Sequence, residues 1–274
     1  MKPNLKAYRE ELHISHSQIF TYLSCSLKYQ FQYVEQRPQE RMSLALPFGK
    51  AIHNAIERYY RSIMESGVPA DLDVISDLFE ESLTLGLEKT PAPIIFKQEA
   101  EDAGSAINLG KSMLKAFHES VDLTGWKVAA VELPLAAPLY TPDGERLDIQ
   151  LIGAIDLLLK DTEGRYLVVD NKTSKQKKTQ EAVDDDHQMT AYSYLLATNG
   201  YVFPRAEVDC RFDVLRKLKT PTFEHYHTSR TAEHRKRFAR IASAVLTGIE
   251  SRLFIPTKGW LCSDCQYQDA CNSW

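Results

Sequence analysis

From Ser15 to Val34 apolar residues recur every three or four positions, at Ile19, Leu23, Leu27, Phe31 and Val34, the period of one helix face. Ser15 followed by Gln18 forms a capping box, so a helix is predicted over 15–34 with Cys25 within it or near its end. A second helix is predicted from about Pro47 to Gly67, with Ile52, Ile56, Tyr59 and Ile63 as its apolar stripe. Gly49, His53, Ile56 and Tyr60 share a neighbouring face of it. Further helical patterns cover about 73–88 and 98–121, separated by Pro91-Ala92-Pro93.

At Trp126 the period changes from helical to alternating, in WKVAAVELPL, LDIQLIGAIDLLL and RYLVVDNK. A helix at about 184–198, a hairpin over 206–228 and a basic helix over 230–253 complete the pattern. With no internal repeat, low-complexity tract or Gly/Ser linker, one α/β domain with a helical first part is the economical reading. The segment Asp161-Thr162-Glu163-Gly164 is a hairpin turn whose glycine suits a left-handed position. If Asp161 pairs with Arg165, the numbers of facing residues sum to 326, and Asp156 falls opposite Asp170.

Composition changes this picture little. The chain has 274 residues, 43% apolar and 26% charged, an ordinary soluble globular balance that allows a sizeable core. No apolar run approaches the ~20 residues of a membrane span, and the N-terminus lacks a signal-peptide core, so a cytoplasmic location without a membrane partner is expected. A net charge of −4 argues against indiscriminate coating of nucleic acid. Basic residues nonetheless bunch at Lys172, Lys175, Lys177 and Lys178, at Arg211, Arg216, Lys217 and Lys219, and from Arg230 to Arg240. A single run of this kind is ordinarily a solvated face; the first, starting at Lys172, is expected to track phosphates.

Chemistry is suggested at two places. Asp156 facing Asp170 would repel across a ladder unless something positive lies between them, and two carboxylates offer the hard oxygens that Mg2+ or Mn2+ prefers. Lys172, two residues beyond Asp170, falls on the same face of its strand, while Asn171 points the other way. Gln188 and Tyr192, four apart, share one helix face. The second place is the cysteines. Cys262, Cys265 and Cys271 lie within ten residues of one another, and a fourth thiolate must come from Cys25 or Cys210. Cys210 alternates with Val208, Phe212 and Val214 and reads as a core position. Cys25 would then staple the two ends of the chain together.

The ordered set Gly153-x-x-Asp156, Asp170-Asn171-Lys172 and Gln188-x-x-x-Tyr192 resembles the PD-(D/E)XK nuclease superfamily. With the split cysteines it is similar to the RecB-like iron–sulfur exonucleases, which include CRISPR-adaptation enzymes and the nuclease modules of helicase–nuclease complexes. The resemblance implies a restriction-endonuclease-like fold, a mixed central sheet flanked by helices, with a helical part over about 11–121 carrying Cys25 and His53. A catalytic core over about 126–228 and a basic, cluster-binding C-terminus over about 229–274 would follow.

The resemblance further implies a metal-dependent DNA exonuclease acting on single strands or frayed ends, in repair, recombination or CRISPR adaptation, with a separate helicase or adaptation protein as a possible partner. Asp156, Asp170 and Lys172 would be catalytic, and Gln188 and Tyr192 would line the site and touch DNA. His53, matching the Gly-x-x-x-His pattern from Gly49, would join Asp156 and Asp170 on the metal. Glu132 is a further metal ligand or a rim carboxylate. Cys25, Cys262, Cys265 and Cys271 would hold a [4Fe–4S] cluster, with zinc as the alternative; the family's proline after the first cysteine is replaced by Ser26. The reading that competes with an enzyme is a DNA-end-binding or assembly subunit that keeps fold and cluster without cleavage.

Overall fold

Residues 5–97, 99–141 and 143–274 are described by the computed structural model. The chain enters through α1 (Leu5–Tyr8), β1 (His13–Ser15) and α2 (His16–Ser24), followed by α3 (Ser26–Tyr29) and a π-helical turn over Gln30–Val34. A helical lobe comes next: β2 (Met42–Ser43), α4 (Ala45–Ser66), α5 (Leu72–Glu88), β3 (Ile94–Ile95) and α6 (Ala103–Ser120). The predicted start of the last helix at residue 98 lies outside the described residues. The strands β4 (Trp126–Tyr140), β5 (Arg146–Asp161) and β6 (Tyr166–Ser174) lead to α7 (Gln180–Asp184) and α8 (His187–Thr198). The hairpin β7 (Val208–Arg216) and β8 (Phe223–Arg230), the helix α9 (Ala232–Glu250), a 3-10 turn over Trp260–Asp264 and α10 (Gln268–Asn272) complete the chain. Among the described residues no helix is long and apolar enough to cross a membrane.

The predicted capping box at Ser15 and Gln18 is formed, but the helix it starts is not continuous. Cys25 is extended, with φ −165° and ψ 104°, and divides α2 from α3. The N–H of Leu27, which an unbroken helix would direct to Leu23, donates instead to the carbonyl of Ile255 at 3.1 Å. Tertiary contact overrides the local period, and Leu23 and Val34, on the predicted apolar face, are exposed. The helix predicted at about 184–198 forms as α8 from His187, where Asp186 is extended and caps it by accepting from Gln188 N–H at 2.8 Å.

Strands β4 to β8 and β1 form one six-stranded mixed sheet with helices on both faces, the restriction-endonuclease-like arrangement. Helices α8 and α9 cover one face over Val168, Cys210, Phe212 and Val214. The helical lobe covers the other over Leu157, Leu167, Val169 and Leu215. Within the lobe, Gly110 is required by packing: a Cβ there would lie 2.0 Å from Cζ of Phe79, whose ring also meets Phe48 edge-on at 5.5 Å.

The strand β5 organises the site. Along one edge it pairs antiparallel with β4 over its whole length. Its other edge is shared: β1 runs parallel to it over Gln150–Ile152, and β6 antiparallel over Leu157–Lys160. The two partners run toward each other and neither pairs with residues 153–156. A gap of roughly 10 Å therefore opens in the sheet, from three intervals of about 3.3 Å per residue.

Candidate active site

The turn at 161–164 forms as its sequence suggests, with Asp161 N–H donating to the carbonyl of Arg165 at 3.0 Å and Gly164 at φ 87°. The register follows from it: Leu157 pairs with Val169 and Lys160 with Tyr166, each summing to 326. Asp156 and Asp170 are the next facing positions, at the lip of the gap. There the ladder ends because a side chain replaces the backbone partner, Asn171 N–H donating to Asp156 Oδ2 at 2.9 Å. On the other edge of β5, Val131 pairs with Leu157 and Leu133 with Ile155, which puts Glu132 beside Asp156. Glu132, Asp156 and Asp170 thus stand in one row across three adjacent strands.

Charge balances this row only in part. The Lys172 Nζ lies 2.7 Å from Asp170 Oδ2, as strand alternation requires. Burial acts to depress the Lys172 ammonium, but Asp170 and Asp156 outweigh it and raise its pKa, so it stays protonated. His53, from α4, brings Nδ1 to 3.3 Å from Asp156 Oδ2. Burial and the neighbouring Asp170 carboxylate raise Asp156 to about 6, against the opposing pull of His53 and Lys172. Burial, Asp156 and Glu57 raise Glu132 to about 7. Glu132 also has φ 48°, a left-handed backbone uncommon for a residue with a side chain and concentrated at functional sites.

The helix α8 reaches the row through Gln188, whose Nε2 donates to Asp170 Oδ1 at 2.7 Å and to Tyr192 Oη at 2.8 Å. Tyr192 Oη is a further 3.4 Å from Asp170 Oδ1. The close approach of α8 depends on Gly153, where a Cβ would meet Leu195 Cδ1 at 2.9 Å and Tyr192 Cε1 at 3.7 Å. Tyr192 is buried, so it shapes the site and cannot offer a free ring face for stacking on a base. By contrast, Gly49 is not demanded by space, since a Cβ there would meet only Thr173 Oγ1 at 4.0 Å.

The residues present fit a divalent cation. Asp170 Oδ2 is buried without a well-aligned hydrogen bond despite the nearby ammonium. One ligand atom each from His53, Glu132 and Asp156 falls within 4.8 Å of the others. A model of the PD-(D/E)XK nuclease superfamily matches residues 13–272. The chain belongs to the PD-(D/E)XK nuclease superfamily. The solved structure of a protein named "Putative exonuclease" from Eubacterium rectale is similar at 10% identity, with a TM-score of 0.59, over 100% of this chain and 93% of that one. The structure of SSO0001 also matches, at 14% identity over 90% of this chain and 94% of that one, with a TM-score of 0.34. Among curated proteins, no sequence matches. Superfamily membership supports nuclease activity, and nucleases of this superfamily use divalent metals.

Away from the acid row, this nuclease brings Cys25, Cys262, Cys265 and Cys271 around one cavity of about 430 Å3. Cys25, Cys265 and Cys271 pack against the apolar Leu27, Phe31 and Tyr267. Burial and the three other thiols raise the pKa of Cys271. Cys210 sits fully buried on β7, as its alternation predicts. Ser26 stands in the join itself: Ile255 N–H donates to Ser26 Oγ at 2.8 Å, and Ser26 Oγ donates to Ile255 O at 3.2 Å. The Glu40 carboxylate accepts from the N–H groups of Asp269 and Ala270 at 2.8 Å each, fixing α10 to the segment before the helical lobe.

The basic runs are largely architectural. Arg211 pairs with Asp213 and Arg216 with Glu224, all four on the hairpin β7–β8. Arg230 donates to the carbonyls of Val183 and Asp186 and to Thr190 Oγ1, and so pins the α7–α8 junction that presents Gln188. Arg235 donates to Ser193 Oγ and to the carbonyls of Pro204 and Ala206, each at 2.8 Å. Four of these arginines are buried, which corrects the reading of their runs as solvated faces. In the first run, Lys175 pairs with Glu99 at 3.4 Å and Lys178 lies 4.3 Å over the Phe212 ring.

Proposed function

We propose that the protein is a metal-dependent DNA exonuclease acting on single strands or frayed ends, its active site the row Asp156, Asp170 and Lys172 with His53 and Glu132. The observation that carries the reading is the convergence of three carboxylates, an imidazole and an ammonium at a gap in the sheet, where substrate can reach them. Asp156, Asp170, His53 and Glu132 would hold Mg2+ or Mn2+. A bound divalent cation supplies charge neutralisation and acidifies water at neutral pH.

The chain's own residues do the rest. Lys172 keeps its proton beside Asp170 and directs a fixed positive charge at the place where negative charge develops on the phosphate. Gln188 fixes the rotamer of Asp170 through a hydrogen bond to Oδ1, so that Oδ2, beside Lys172 Nζ, would be the oxygen turned to the cation. His53 holds Asp156 from the helical lobe, so lobe and sheet together set the geometry. An assembly subunit without cleavage would not need Lys172 and the full acid row kept together. The name of the structural neighbour from Eubacterium rectale, an exonuclease, points the same way.

A [4Fe–4S] cluster on Cys25, Cys262, Cys265 and Cys271 completes the proposal. The four thiols line one cavity, a donor set that a [4Fe–4S] cluster takes, with zinc as the alternative. End-labelled single- and double-stranded DNA, linear and circular, incubated with Mg2+ or Mn2+ tests the activity. Progressive shortening of linear strands with circles intact is expected; cleavage of circles, or no cleavage with either metal, refutes it.

A further inference from the structure

The gap in β5 has a second lip. Ser15, the last residue of β1, pairs with Ile152; there the chain turns into α2, whose first residue, His16, stands at this lip with Gly153. A cavity of about 470 Å3 opens there, within the ~300–1,000 Å3 range of small-molecule sites. Arg9, His13, His16 and Tyr33 line it together with Gln188 and Tyr192, so it is continuous with the acid row through the residues that hold Asp170.

The lining is built for an anion with an organic body. Among the described residues His16 takes no hydrogen bond or ion pair; its ring only stacks on Phe20, with centroids 6.2 Å apart. Its charged neighbours are those of the acid row and of the α8 cap: Asp186, Lys172, Asp170 and His187. Burial lowers its pKa to about 4, so the ring is neutral and offers one N–H donor and one acceptor. Arg9 likewise has no carboxylate partner among the described residues and lies close enough to Tyr33 for its charge to oppose the burial that raises that phenol's pKa. An unpaired guanidinium, an unpaired imidazole and a half-buried tyrosine beside a hydrolytic row match phosphate plus nucleoside.

We propose that this cavity seats the nucleotide adjoining the scissile phosphate, with Arg9 and His16 on its phosphate oxygens and Tyr33 against its sugar or base. The assignment rests on the nuclease reading for its place in the reaction, but the cavity is testable without cleavage. In EDTA, calorimetric titration of the full-length protein with deoxythymidine 5′-monophosphate and with thymidine is the direct test. The monophosphate is expected to bind and thymidine to bind about tenfold more weakly or worse, the effect of one charge-assisted contact. Arg9→Ala and His16→Ala should each weaken the monophosphate about tenfold and leave thymidine unchanged. Arg9 is exposed, so that variant keeps the test open if His16→Ala folds poorly. Absence of monophosphate binding, or affinity unchanged in Arg9→Ala, overturns the assignment. Monophosphate binding that depends on Arg9 in a protein that cuts no DNA would sustain the cavity and refute the exonuclease; cleavage with no monophosphate binding would do the reverse.

Discussion

Gln188 Nε2 donates to Asp170 Oδ1 at 2.7 Å while Lys172 Nζ approaches Oδ2 of the same carboxylate at 2.7 Å, so a helix and a strand divide the two oxygens between them. A buried carboxylate held on one oxygen by a neutral amide keeps its rotamer without losing its charge. Gln188→Ala should therefore lower cleavage roughly 10–100-fold, the usual cost of removing a group that orients a metal ligand. Tyr192→Phe, which removes the 3.4 Å contact to Asp170 and the 2.8 Å bond accepted from Gln188 but leaves Gln188 on Asp170, should cost less. Single-turnover rates at saturating Mn2+ distinguish the two; equal losses would deny Gln188 its orienting role.

Asp156→Ala, Asp170→Ala and Lys172→Ala should each reduce cleavage by about 10³ or more, since each removes charge from the reacting centre. Binding of single-stranded DNA should persist in all three. Turnover near wild type in any of them would remove the proposed site. Glu132→Gln is the more informative variant, because the row predicts weaker Mn2+ affinity with the fold retained; an unchanged metal titration would return Glu132 to the rim.

Much of this was legible in the sequence, and the misses have physical causes. The turn at 161–164 sets the β5–β6 register directly, so Asp156 and Asp170 could be paired by counting. Counting back from the β4–β5 turn fails for Glu132. There Tyr140 faces Arg146, but a bulge on β5 opposite Leu139 shifts the register by two, and Pro138 faces Gln150. Without that bulge Glu132 would oppose Ala154, not Asp156. His16 was hidden for another reason: it lies just inside the capping box of a helix, and only the long-range pairing of β1 with β5 carries it to the gap. The interruption at Cys25 escaped because the apolar period runs through it, the break being made by Ile255, far along the chain.

Cys25→Ser should abolish the cluster and lower thermal stability, because binding energy at such a site is coupled to folding and the link closes almost the whole chain. Anaerobically purified wild type is expected to be brown with about four irons per chain. One zinc per chain and no iron would replace the cluster with zinc. Full iron in Cys25→Ser would transfer the fourth ligand elsewhere.

Ser26→Ala tests the same join without touching a thiol. It removes the two hydrogen bonds to Ile255, at 2.8 and 3.2 Å, for an expected loss of about 1–3 kcal/mol. Iron content should be retained at low temperature and lost at a lower midpoint on heating. A midpoint equal to wild type would show that the apolar nest around Phe31 and Tyr267 suffices.

The raised carboxyls predict how the metal-free protein responds to pH. Asp156, at about 6, and Glu132, at about 7, hold protons more tightly in the folded chain than in the unfolded one. The folded state then binds more protons, so their contribution to stability is fully present below about pH 4 and is lost as pH rises through 6 and 7. Asp156→Asn carries no charge to lose, so its unfolding midpoint in EDTA should match wild type near pH 4 and exceed it near pH 8. The gap should be on the order of 2 kcal/mol, roughly 4–8 °C for a chain of this size. Mn2+ should close that gap at pH 8 by stabilising the wild type alone, since the ion replaces the missing protons between the carboxylates. A gap that stays constant from pH 4 to 8 would mean that the row is neutralised by Lys172 and His53 without need of a cation.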